Sequence, residues 1–185
     1  MIDCARISVT LFHASKVAGL DQLDPAASDD SNMFGPAIYA TKDRKTAECQ
    51  HRTIAAIYKI RASGAHNGII ELNQAYAFQG DLGKKAIETV NRRYRLSAQA
   101  NEGQPIRNWL YDAAAELAER GVAYPTRTLI NRALADEGIW LLRGVADGIE
   151  ATYPQDNGIQ WAIIRAENTH IEEEQPRYLT TLESA

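Results

Sequence analysis

Phe34, Gly35, Pro36, Ala37, Ile38, Tyr39, Ala40 and Thr41 form the stretch from which the rest of this 185-residue chain is read. Gly35 and Pro36 end whatever precedes them, since glycine reaches backbone angles closed to other residues and proline fixes one angle and lacks an N–H. Ile38 to Thr41 then reads as a short strand, with Ile38 and Thr41 β-branched. Lys42 to Arg52 follows with helix-forming composition, and Thr41 or Asp43 is a possible cap. A strand that hands a tyrosine to a cleft, beside a turn that lets backbone approach a ligand, is binding architecture. The same residues also suit a buried strand whose tyrosine finds one hydrogen-bond partner.

Two further stretches bear on that choice. Val9 to Ser15 is an apolar strand that closes on His13, Ala14 and Ser15. Near the other end, Gly144 to Ile149 precedes a second apolar run, Gly158 to Ile164. In that order the three stretches resemble the ADP-ribosyltransferase fold, in its diphtheria-toxin and poly(ADP-ribose) polymerase branch. That branch has a His-Gly-Ser/Thr strand, a strand of the form F-G-x-G-I-Y-F/A-T/A followed by a helix, and a late strand led by Glu, Asp or Gln. Here Ala14 stands for the glycine of the first motif and Ala37 for the second glycine of the second. Gln160 stands in the acidic slot of the third.

The resemblance implies an α+β fold: a split β-sheet core with an NAD cleft and a helical insertion over about 82–136. It also implies a single domain over 1–185, with a polar tail over about 175–185. The expected activity is mono-ADP-ribosyl transfer from NAD to a macromolecule, by a bacterial or phage effector or toxin-like enzyme. Two alternatives are a catalytically inactive member of the fold that binds a partner, and an NAD glycohydrolase.

The same resemblance assigns roles. Because nicotinamide is already a cationic leaving group, the chemistry needs orientation of NAD and charge stabilisation, with no metal. His13 would hydrogen-bond a ribose hydroxyl, although a histidine at a strand end also serves purely structural ends. Backbone groups of Ala14 would hold the nicotinamide amide, with Ser15 beside it. Tyr39 would form one wall against the nicotinamide ring. Phe34, Gly35 and Thr41 complete the cofactor-binding set. The position of the second wall falls near Cys49, where the nearest aromatics are His51 and Tyr58. Gln160 can hydrogen-bond ribose but carries no charge and takes no proton at neutral pH, so it suits transfer to an acceptor that is already nucleophilic. Asp156 is the rival acid, and Asp147 with Gly148 resembles a structural turn before the final strands.

Bulk composition bounds the remainder. With 45% hydrophobic and 24% charged residues, the chain has the make-up of a globular protein with room for a core. No apolar run approaches the roughly 20 residues of a membrane span, and no signal pattern opens the chain. A net charge of −4 favours a protein acceptor over nucleic acid. Cys4 and Cys49 are too few for a disulfide framework, which points to a reducing cytoplasm, the producer's or a target cell's.

Along the chain, Ile7 to Ser15 reads as the first strand, and Lys16 to Asn32 as a loop with at most a helical turn. That loop is either a flap over a cofactor or a solvated connection. Ala47, Ile54, Ala55, Ile57 and Tyr58 suit an amphipathic helix, with Ile57 to Ile60 alternatively strand. Gly64 to Gly68 is a break, and Gly68 to Leu72 a strand. Asp112 to Arg120 is the clearest helix. Lys84, Lys85, Arg92, Arg93 and Arg95 form either a solvated helix face or a patch that docks an acidic target.

Overall fold

The computed structural model describes residues 5–28, 32–49, 53–122, 125–145 and 159–176. Among these residues, seven strands form two sheets. β1 (Arg6–Ser15), β3 (Ala56–Ala65) and β7 (Thr169–Pro176) make an antiparallel sheet in the order β1-β3-β7. β2 (Ile38–Ala40), β4 (Ile69–Glu71), β5 (Leu141–Val145) and β6 (Ile159–Ile163) make the second, in the order β2-β6-β5-β4. The protein is thus α+β with two sheets. β4 and β5 are parallel, so a crossover must join them, and three helices supply it. These are α2 (Asp81–Tyr94), α3 (Ile106–Glu119) and α4 (Thr126–Asp136), while α1 (Arg44–Cys49) lies earlier.

Strand alternation divides the core. On β6, Ile159, Trp161 and Ile163 join a cluster with Leu11, Tyr58 and Ile60, filled from both sheets. Ala162 and Ile164 join instead Leu110, Ile130 and Leu134 of the helices. A third, small cluster sets Ala14 and Ile57 against Ala47 of α1. The four-stranded sheet is therefore covered on both faces. Such strands lose the hydrophobic alternation that would announce them in sequence.

Several expectations change accordingly. The helical pattern proposed through Tyr58 does not run that far. α1 ends at Cys49 and Ala56–Ala65 is a ten-residue strand. Gly64 lies inside that strand rather than in a break, because the Trp140 ring rests on it. A Cβ at Gly64 would come within 2.4 Å of the ring, and the indole Nε1 donates to the Ala65 carbonyl at 2.8 Å. β5, read only as the approach to a turn, pairs with β6 along its whole length. Residues 175 and 176, assigned to the tail, complete β7, a full strand that pairs with β3.

Candidate functional site

Among the described residues, one backbone bridge joins the two sheets. Phe12 on β1 and Thr41, just after β2, form an isolated bridge, with Phe12 N–H donating to Thr41 O at 2.8 Å and Thr41 N–H to Phe12 O at 3.0 Å. An antiparallel ladder would continue with Ala14 N–H donating to Tyr39 O. It does not. Tyr39 O lies 2.7 Å from His13 Nδ1 instead. A carbonyl can only accept, so Nδ1 carries a proton, and in the neutral form of the ring Nε2 is an acceptor. His13 therefore ends the ladder and holds the strands apart. Since Phe12 directs its N–H and C=O toward β2, strand alternation directs those of Ala14 the same way, to the side where the ladder stops.

On its other side β2 is laddered to β6, at Ile38–Ile163, Tyr39–Ala162 and Ala40–Trp161. Extending that register sets Thr41 opposite Gln160. Tyr39, Thr41 and Gln160 leave the sheet on its helical side, where Tyr39 packs against the larger cluster. Gln160 is only 9% exposed, and its side-chain amide takes part in none of the hydrogen bonds among the described residues. His13 leaves on the opposite side, toward Tyr58, its cross-strand neighbour, with ring centroids 6.4 Å apart. The three motif residues thus converge on one junction but from two faces of the sheet, with the gap between them.

Tyr39 closes the preceding turn. Its hydroxyl accepts from Phe34 N–H at 3.0 Å and donates to Gly35 O at 2.6 Å, and the two rings stack at 6.2 Å. From outside, α4 clamps the same turn. Asn131 Nδ2 donates to Phe34 O at 2.9 Å and Pro36 O at 3.1 Å, and Arg127 donates to Asn32 O at 3.0 Å. Gly35 has φ +78°, and a Cβ there would stand 2.6 Å from Arg127 Cβ. The close approach that Gly35 permits is therefore that of α4, not of a ligand. Sequence reasoning missed Asn131 and Arg127, because a polar residue on a helix carries no local sign of what it clamps.

α1 follows as expected of a capped helix. Asp43 Oδ2 accepts from Thr46 N–H and Thr46 Oγ1–H, both at 2.8 Å. Burial pulls its pKa up, but the hydrogen bonds from Thr46 prevail and hold it below the ordinary value. Ser15 is half-buried at the end of β1, and its Oγ accepts from Val17 N–H at 3.0 Å. Of the second-wall candidates, Cys49 is exposed, while Tyr58 is fully buried and donates to Val17 O at 3.1 Å. His51, Asp147, Gly148 and Asp156 lie outside the described residues.

The basic segment of α2 is engaged along its own surface. Lys85 pairs with Glu137 at 3.3 Å, Arg93 with Asp136 at 2.6 Å, and Lys84 sits over the Tyr76 ring at 5.8 Å. Burial, then the Glu88 carboxylate that accepts its proton, push the Tyr76 hydroxyl up to about 12. These contacts favour a solvated face that packs α2 to α4. Among the described residues, no helix is long and apolar enough to cross a membrane. Comparison with models of protein families finds no match, and none is found among curated proteins or among solved structures.

Proposed function

We propose that the protein is an NAD-dependent mono-ADP-ribosyltransferase whose nicotinamide site is the gap between β1 and β2. The observation that carries this reading is the single bridge at Phe12–Thr41. It leaves the Ala14 N–H and C=O, by strand alternation, on the side of β1 where the ladder to β2 stops, and Tyr39 and Gln160 are proposed as walls of the nicotinamide site there. A primary amide offers one acceptor and two donors, so an adjacent N–H and C=O pair is its natural complement.

In this reading Ala14 orients the amide and Ser15 stands beside it. Tyr39 is already immobilised by both of its hydroxyl bonds, so its ring forms a wall without further loss of rotamer freedom. His13 presents Nε2 as an acceptor for a ribose hydroxyl. Gln160 turns its amide to the ribose, fixing orientation without supplying charge. A neutral amide does little to activate water, so the acceptor must bring its own nucleophile. That favours transfer to a macromolecule over hydrolysis. A protein acceptor and action in a cytoplasm, the producer's or a target cell's, belong to the same proposal.

The test is incubation with labelled NAD and a cell lysate. Label on a discrete macromolecular band, lost in Gln160→Ala, supports transfer. Nicotinamide released with no labelled band supports the glycohydrolase. Neither release nor NAD binding would leave a binding protein of this architecture.

A further inference from the structure

Tyr39 is fixed at both ends. His13 Nδ1–H donates to its carbonyl at 2.7 Å, and its hydroxyl accepts from Phe34 N–H at 3.0 Å and donates to Gly35 O at 2.6 Å. Its ring also stacks on that of Phe34, with centroids 6.2 Å apart. The ring therefore goes where the turn at 34–36 goes.

Three successive carbonyls of that turn are divided between two side chains. Tyr39 binds the middle one, at Gly35, and Asn131 of α4 binds those of Phe34 and Pro36 on either side. An amide nitrogen has two hydrogens to donate, and Asn131 commits both to this one turn. Phe34 and Asn131 are buried, so these bonds form where water competes little. Oδ1 of the same side chain is buried with no donor among the described residues, which offsets part of their contribution. α4 is a firm support for the contact. Ile130, Ala133 and Leu134 are buried in the larger cluster, and the Tyr94 hydroxyl of α2 donates to Leu129 O at 3.2 Å. Those residues anchor the helix whether or not Asn131 reaches the turn.

We propose that Asn131 is a positioning residue for the gap: it sets the turn at 34–36 and, through that turn, the Tyr39 ring. That the ring is the nicotinamide wall rests on the NAD reading; the hold of Asn131 on the turn does not.

The test combines amide hydrogen exchange of the NAD-free protein with calorimetric titration of NAD, in Asn131→Ala and in Asn131→Asp, which keeps the shape but sets an acceptor against both carbonyls. Tyr94→Phe is the control, because it removes a bond to α4 away from the turn. In both Asn131 variants the Phe34 amide should exchange at least about tenfold faster relative to the amides of the β5–β6 ladder, since local opening is separable from global unfolding. Global destabilisation alone would move all of these amides together. NAD affinity should fall at least about fivefold in both Asn131 variants and stay within about twofold of wild type in Tyr94→Phe, because misplacing a binding group costs more than loosening a remote contact. An unchanged exchange ratio overturns the hold on the turn. Faster exchange with unchanged NAD affinity overturns the positioning of the wall, and so does an equal loss of affinity in Tyr94→Phe. A wild type that binds no NAD is a failure of the NAD reading instead, and the exchange ratio then still decides whether Asn131 sets the turn.

Discussion

β2 has two neighbours and treats them differently. Toward β6 it is laddered over all three of its residues; toward β1 only a single bridge follows it, at Thr41. The first side is sealed by packing on both faces of the sheet. The second is held open by one imidazole, which takes the carbonyl that the next rung would have used. A sheet that splits leaves main-chain donors and acceptors directed at a space, and such groups need partners. The closed side supplies rigidity and the open side supplies recognition.

Breaking the closed side should have the largest effect. Gly35→Ala forces a Cβ into Arg127 at a positive φ, and should cost about 3 kcal/mol, read as a Tm drop of roughly 6–12 °C. Wild-type stability in this variant would mean that α4 does not clamp the turn. Asn131→Ala leaves Phe34 O and Pro36 O without their donor and should cost about 2 kcal/mol in urea unfolding. An unchanged midpoint would remove Asn131 from the clamp.

The open side should respond differently. His13→Ala removes the partly buried hydrogen bond to Tyr39 O, and its stability cost should be about 1 kcal/mol. NAD affinity in the same variant should fall at least about tenfold, measured by calorimetry. Equal losses in stability and affinity would make His13 a structural wedge alone.

The smallest effect belongs far from both. Glu116 accepts from the N–H groups of Ser97 and Ala98, both at 2.9 Å, and is paired with Arg120. The Ser97 amide contributes most to holding its pKa below the ordinary 4.5. A lowered folded value means that its contribution is complete above pH 4.5 and disappears as pH falls through the folded value. Glu116→Gln should therefore be slightly less stable than wild type at pH 7 and indistinguishable from it in acid, with NAD binding untouched throughout. A stability difference that grows in acid would reverse this sign.

What the sequence disclosed follows the same division. β1, β2 and β6 were legible, because each carries an apolar run ending at a turn or a polar pair. Pro105 and Pro125 mark the starts of α3 and α4. β5 was not, since burial on both faces erases the period of two; β3, which alternates from Tyr58 onward, was legible only as the alternative strand over Ile57 to Ile60. At the start of β3 the spacing of Ile57 and Tyr58 from Ile54, just before it, imitates a helix. The polar tail expected over about 175–185 takes in the last two residues of β7, which follow Glu172, Glu173 and Glu174. In the fold Glu172 faces Lys59 and Arg61 of β3, so its charge adds two ion pairs to the backbone ladder that joins β7 to β3. At the junction, the identities of His13, Tyr39 and Gln160 were readable. The ladder-ending role of His13 was not, because it depends on which strand lies opposite, and that is decided far away in sequence.

The most direct test of the open gap is the amide spectrum of nitrogen-15-labelled protein titrated with NAD. The Ala14 amide should move saturably, together with those of Thr41 and Gln160, and the Ala14 shift should vanish when nicotinamide is trimmed from the ligand to leave ADP-ribose. Saturable binding that leaves Ala14 unmoved, or an Ala14 response identical with ADP-ribose, would contradict the placement of nicotinamide between β1 and β2.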